Sequence, residues 1–110
     1  MNLQRNEKFI QVWGFGSFFR QQLVFSDIDM LLVHEGNSRT ARFFALRCRN
    51  TVREKIDKAD VCILSERSER EFDFIAQSRA TFLGLVQGAS FDLDIQNLVL
   101  EVTKFRLRVM

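Results

Sequence analysis

Apolar residues in the first half of the chain follow two spacings, each typical of a different element. Continuous or alternating apolar residues predict β-strands at Phe9–Phe15 and Ser26–His34. The second run is so apolar that we expect it near the centre of a sheet. A short helix or turn is predicted from Ser17, its cap, to about Gln22. A longer helix, capped by Ser38, is predicted over residues 39–57, where apolar residues recur at helical spacing: Ala41, Phe44, Ala45, Cys48, Val52 and Ile56.

The second half of the chain predicts a strand, a helix and a strand before an ambiguous end. The strands are expected at Asp60–Leu64 and at residues 80–86. The helix between them is expected to start at Ser65 or Ser68 and to reach about Gln77. Residues 68–71 have the form of its capping box, and its buried positions would be Phe72, Ile75 and Ala76.

The C-terminal segment supports two interpretations. From about Leu93 the apolar spacing favours a helix, whereas Phe105, Leu107 and Val109 alternate as in a strand. We predict the helix. The order of elements then predicts an α/β (α+β) fold, a small mixed β-sheet with helices packed on it, formed as a single domain by residues 1–110.

The composition indicates the general class of protein but says little about its function. The content of 46% hydrophobic and 27% charged residues is ordinary for a globular protein, and a net charge of +2 does not indicate nucleic acid as a partner. No apolar run is long enough for a membrane span, and the polar start at residues 1–8 does not resemble a signal peptide. Cys48 and Cys62 lie in apolar surroundings, which predicts reduced core thiols in a cytoplasmic protein.

The most informative chemistry lies around Asp27 and Asp29, two carboxylates that flank Ile28 in an apolar run. Because side chains alternate along a strand, both carboxylates are expected on one face. Like charges this close are unfavourable without a positive neutraliser, which is commonly a divalent cation. Gly16 and Ser17 form a turn shortly before, where backbone N–H groups are able to bind phosphate.

A hydrophobic residue, Gly-Ser, a gap of about ten residues and Asp-x-Asp resemble the signature of the DNA polymerase β-like nucleotidyltransferase superfamily, including its minimal nucleotidyltransferases. The likeness extends over Ile10–Phe74. It implies a nucleotidyltransferase-like fold and transfer of a nucleoside monophosphate from a nucleoside triphosphate (ATP or another NTP) to an acceptor hydroxyl. It also implies two Mg²⁺ ions held by Asp27, Asp29 and a third carboxylate. Asp60 is the preferred third ligand, with Asp57 as the alternative.

The same resemblance implies roles for three residues near the turn. Gly16 would let the backbone approach the triphosphate, Ser17 would add a hydroxyl, and Arg20 would neutralise phosphate charge. By analogy with such families, the acceptor would be a protein partner such as a HEPN-type toxin ribonuclease, with the chain acting as an antitoxin, or the chain would form a homo-oligomer.

Some residues depart from the family pattern and motivate a rival interpretation. Relatives often have small or basic residues where Phe18 and Phe19 stand, and a glycine where Gln21 and Gln22 stand. The rival is a catalytically inactive binding or regulatory module with the same fold.

Three further features are more simply structural. Asp92-x-Asp94 lacks a preceding Gly-Ser turn, so Asp92 is expected to cap a helix. The arginines along the predicted long helix are expected to form a solvent-exposed face of that helix. Binding of RNA by this face is the more specific alternative. His34 is expected to mark a strand end.

Overall fold

The computed structural model describes residues 9–108. The polar start at residues 1–8 and Val109 of the alternative strand lie outside them. The elements, in chain order, are β1 (Phe9–Phe15), α1 (Gly16–Phe19), β2 (Ile28–His34), α2 (Arg39–Lys55), β3 (Ala59–Ser65), α3 (Glu66–Phe72), α4 (Phe74–Ser78), β4 (Thr81–Gln87) and α5 (Phe91–Arg108).

The strands form one mixed sheet in the order β3-β2-β1-β4. Strand β1 pairs antiparallel with both β2 and β4, whereas β2 and β3 are parallel and connected through α2. Strand β2 is therefore an inner strand, which its unbroken apolar run predicts. The predicted α/β class, a mixed sheet with helices packed on it, is confirmed.

The hydrophobic core lies between the sheet and helices α2 and α5. Alternate residues of the inner strands face it, including Ile10, Val12, Ile28, Met30 and Leu32. The helices contribute Phe44, Ala45, Cys48 and Val52 from α2 and Phe91, Ile95, Leu98, Val102 and Phe105 from α5. Ser38 caps α2 as predicted, because its hydroxyl oxygen accepts a hydrogen bond from the Ala41 N–H at 3.1 Å.

The segment after β3 agrees with its prediction at its start but not along its length. Of the two predicted starting residues, Ser65 and Ser68, Ser65 is the cap, because its hydroxyl oxygen accepts a hydrogen bond from the Ser68 N–H at 3.1 Å. The predicted capping box at residues 68–71 is therefore wrong. The predicted single helix is split at Asp73, which adopts the left-handed conformation with φ 55°. This break leaves Phe72 66% exposed rather than buried. Ala76 is also exposed and Ile75 is half-buried.

The first short helix also differs in its cap. Phe15, not Ser17, precedes α1, and no side chain caps the helix. Phe18 and Phe19 are buried in the core, and the ring of Phe19 lies directly over the α-carbon of Gly14. Their aromatic character is therefore accounted for by packing.

The C-terminal segment forms the predicted helix, α5, but its N-terminal contacts differ from the prediction. A carboxylate oxygen of Asp94, not Asp92, accepts hydrogen bonds from the Gln87 N–H at 2.9 Å and the Ser90 hydroxyl at 2.7 Å. These bonds join the end of β4 to the start of α5. None of the helices among residues 9–108 combines the length and apolar character that crossing a membrane requires.

Candidate metal centre

Two neighbouring aspartates, Asp27 and Asp29, meet the distant Asp60 where the parallel strands β2 and β3 begin. Asp29 is the second residue of β2, Asp60 is the second residue of β3, and Asp27 immediately precedes β2. One carboxylate oxygen from each lies within 4.8 Å of the other two. The structure therefore places Asp60 with Asp27 and Asp29, as the sequence predicts. Asp57 lies in the turn between α2 and β3, outside this cluster.

The parallel pairing of β2 and β3 aligns these acids. Asp29 and Asp60 are register partners, and the pair before them is Ile28 and Ala59. The Ile28 N–H donates a hydrogen bond to the Lys58 carbonyl at 2.9 Å, which fixes the starts of the two strands together. Ile28 and Met30 point into the core, so Asp29 faces the opposite side of the sheet.

Gly16 closes the site on the side of β1. Phe15, the residue before it, is the antiparallel partner of Asp29. Gly16 has a positive φ of 78°, and a β-carbon built at this position would collide with Oδ2 of Asp29. Glycine is therefore required at this position for two reasons, its backbone conformation and its lack of a side chain. The backbone of α1 thus begins directly against the acidic cluster.

The electrostatics of the cluster favour a positive ligand. Burial, followed by the negative charges of Asp60 and Asp27, raises the pKa of the Asp29 carboxyl above its ordinary value. The ion pairs between described residues are Arg67–Glu71 and Glu101–Lys104, and neither involves these aspartates. Within the part of the chain that the structure describes, their mutual repulsion is therefore not compensated by a basic side chain at salt-bridge distance.

The three carboxylates supply the oxygen ligands that hard divalent cations take. One such cation, Mg²⁺, combines a few carboxylates with water and phosphate oxygens. At Mg–O distances of about 2.1 Å, two ligand oxygens on one ion lie about 3.0 to 4.2 Å apart. The observed spread of up to 4.8 Å is only slightly wider. Small side-chain rotations of the exposed Asp27 and Asp60 would close that difference.

The predicted phosphate-binding residues, Gly16, Ser17 and Arg20, precede the aspartates in the sequence. They differ in burial and in whether they contact the acidic cluster. Ser17 is half-buried in the first turn of α1. Arg20 follows α1, its side chain is exposed, and none of the ion pairs among the described residues includes it. Gly16 is the member of this group that contacts the acidic cluster.

Cys62 lies two residues beyond Asp60 and was predicted to be a core residue. It is exposed instead, whereas Cys48 is buried as predicted. Its thiol contacts the Met30 carbonyl at 3.6 Å. Desolvation, followed by the negative charge of Asp60, raises the pKa of the Cys62 thiol above its ordinary value.

Sequence reasoning also gave His34 no role beyond marking a strand end. It is buried at the far end of β2, and its Nδ1 atom has no hydrogen-bond partner among the described residues. A single histidine after an apolar run carries no sequence signal of such an environment.

Comparisons with protein-family models, curated protein sequences and solved structures find no match to this chain.

Proposed function

We propose that the protein is a Mg²⁺-dependent nucleotidyltransferase that moves a nucleoside monophosphate from a nucleoside triphosphate to an acceptor hydroxyl. The observation that carries this proposal is the convergence of Asp27, Asp29 and Asp60 within 4.8 Å, on two parallel strands and the residue before one of them. Three carboxylates without an ion-pair partner among the described residues, beside a backbone turn, suit a cation that in turn binds phosphate.

In the proposed reaction, Asp27, Asp29 and Asp60 would hold the cations. Bound Mg²⁺ would neutralise charge on the phosphate oxygens and lower the pKa of the attacking hydroxyl. Gly16 and Ser17 meet the triphosphate, and the exposed Arg20 is free to reach the leaving pyrophosphate. The acceptor oxygen bonds to the α-phosphorus, the bond from that phosphorus to the bridging oxygen breaks, pyrophosphate leaves, and the hydroxyl proton is released.

The acceptor in this proposal is a hydroxyl on a partner protein, for which the HEPN-type toxin ribonuclease is the working example. The surroundings of the aspartate cluster support this choice. Asp27 and Asp60 are exposed there, and Leu23 and Val24 in the preceding loop are also exposed. An open site of this kind admits a large acceptor.

A catalytically inactive binding module is the second candidate. It is favoured by the burial of Phe18 and Phe19, because these residues occupy positions that in active relatives are often small or basic. Fewer side chains are then available for the triphosphate. Such a module would bind the cation and nucleotide without transferring the nucleotidyl group.

Calorimetry with Mn²⁺ and then ATP, followed by transfer of α-phosphate label to a HEPN-type partner, tests the proposal. Asp29→Asn and Asp60→Asn should each lower Mn²⁺ affinity at least tenfold, since each removes a charged ligand. Asp92→Asn is the matched control, because Asp92 is an exposed aspartate outside the cluster. Metal-dependent ATP binding without label transfer would identify the binding module. Unchanged Mn²⁺ affinity in the Asp29 and Asp60 variants would refute both.

A further inference from the structure

A cavity lies at the opposite end of β2 from the aspartates. Asp29 and His34 are five residues apart on that strand, which corresponds to about 17 Å. The cavity has a volume of about 480 Å³ and lies between β2, β3 and the start of α2; its lining residues are His34, Arg39, Arg42, Phe43, Leu46 and Ile63. A volume of this size is typical of a small-molecule site.

The imidazole of His34 is the most unusual part of the lining. The residue is only 5% exposed, and its Nδ1 is fully buried without a hydrogen-bond partner among the described residues. Leaving a buried polar atom unpaired costs free energy, so such atoms are rare in folded proteins. His34 is also the chain's single histidine. His34 is therefore a lining residue whose imidazole signals report on the cavity.

Two arginines from the first turn of α2 provide positive charge. The Arg42 guanidinium donates hydrogen bonds to the Asn37 carbonyl at 2.6 Å and to its side-chain oxygen at 3.3 Å, which holds that side chain in place. Arg39 is exposed, and no described ion pair includes it. The first turn of α2 contains no acidic residue, so the positive end of the helix dipole adds to this charge.

The remaining lining is apolar. Phe43 is 63% exposed and Leu46 is 38% exposed, although both belong to a helix that buries a separate row of residues in the core. Together with the half-buried Ile63 they form an apolar wall beside the arginines. A ligand complementary to these lining residues would have one anionic end and one apolar part.

We propose that this cavity binds a small organic anion, a phosphate or carboxylate carried on an aromatic or aliphatic group. Its anionic end pairs with Arg39 and Arg42, and its apolar part packs on Phe43 and Leu46 beside His34. The site is separate from the acidic cluster, whose negative charge would repel such a ligand, and it does not depend on the proposed transferase activity.

Because the chain has one histidine, the imidazole resonances of His34 report on this cavity without ambiguity. The probe is phenyl phosphate, titrated into ¹⁵N-labelled full-length protein at fixed pH and ionic strength. We expect saturable shifts of the His34 imidazole signals. Inorganic phosphate and phenol, which each lack one half of the probe, should bind at least tenfold more weakly.

Matched substitutions on α2 locate the binding site. Arg39→Gln should weaken phenyl phosphate binding about tenfold, which is the usual effect of losing one charge-assisted hydrogen bond. Arg53→Gln, near the other end of the same helix, should leave it unchanged. Phe43→Ala should weaken it, whereas Phe72→Ala, which removes another exposed phenylalanine, should not.

Three outcomes would overturn the proposal. One is the absence of any saturable shift of the His34 signals at millimolar phenyl phosphate. Another is equal binding of inorganic phosphate, which would indicate a simple charge effect. The third is equal weakening by Arg39→Gln and Arg53→Gln, which would place the anion on the general positive charge of the helix.

Discussion

The carboxylate of Asp29 lies so close to the α-carbon of Gly16 that no side chain fits between them. Gly16→Ala should therefore destabilise the protein by more than its positive φ alone explains. The backbone strain costs about 1–2 kcal/mol, and displacing the Asp29 carboxylate adds about 1–3 kcal/mol. Urea unfolding measures the total, and Mn²⁺ affinity should fall as well because the displaced carboxylate is a candidate ligand.

Gly36 provides the control for this substitution. It has a similar positive φ of 70°, but a β-carbon there would meet no atom within 4 Å. Gly36→Ala should therefore show only the backbone cost. In an Asp29→Ala background, the effect of Gly16→Ala should fall to the level of Gly36→Ala. Equal effects of the two glycine substitutions in the wild-type background would contradict the close contact.

The pH dependence of stability should report on Asp29 in metal-free buffer. Its raised pKa means that the folded state holds this proton more tightly than the unfolded state does. The free energy of unfolding should then decrease as the pH rises from the ordinary carboxyl value of 3.8 through the raised pKa. Asp29→Asn should remove this decrease, and Asp92→Asn should retain it.

Added Mg²⁺ should reverse that trend, because the cation binds the deprotonated carboxylate and binding strengthens as the pH rises. The measurement is a series of urea unfolding curves with and without Mg²⁺. A metal-free stability profile that is the same for the wild type and Asp29→Asn would show that the folded environment does not perturb this group.

Truncation of Phe18 should destabilise the protein far more than truncation of Phe72. Phe18 is 2% exposed and its ring contacts those of Phe19 and Phe25, whereas Phe72 is 66% exposed. Phe18→Ala should cost about 3–5 kcal/mol, and Phe72→Ala should change stability by less than about 0.5 kcal/mol. Thermal unfolding by circular dichroism distinguishes them. Similar losses would indicate that the segment after β3 packs as one continuous helix.

Asp94 should matter for stability and Asp92 should not. The Asp94 carboxylate accepts two hydrogen bonds that connect the end of β4 to α5, whereas Asp92 is exposed. Asp94→Ala should cost about 1–2 kcal/mol, because the Gln87 N–H loses its acceptor. Amide hydrogen exchange at Gln87 should also accelerate. A loss of stability from Asp92→Ala of the same size would contradict this assignment.

The local sequence predicts the bounds of the first two strands and the placement of Asp29 and Asp60 in the candidate site. The runs that form β1 and β2 are dense in apolar residues, so their bounds are predicted within two residues. The location of Asp60 follows from its place at the start of the next apolar run, because strands of a parallel pair begin at the same edge. The alternation of residues around Ile28 predicts that Asp29 faces away from the core.

Other features depend on packing that a single sequence does not reveal. Both Ser65 and Ser68 are good caps, and the choice between them depends on where β3 ends. The break at Asp73 comes from a left-handed residue that is not glycine, and aspartate tolerates that conformation without requiring it. The burial of His34 depends on how α2 lies over the end of β2, a tertiary relationship with no local signal.

The acidic cluster depends on a parallel strand pair, which distinguishes it from a site built on a hairpin. Asp27 and Asp29 belong to one local segment, but Asp60 reaches them only through the pairing of β2 with β3, whose crossover connection runs through α2. Strand β3 lies at the edge of the sheet, with β2 as its neighbour. The complete set of three carboxylates is therefore a tertiary feature, and separation of β3 from β2 would leave Asp27 and Asp29 without their third partner.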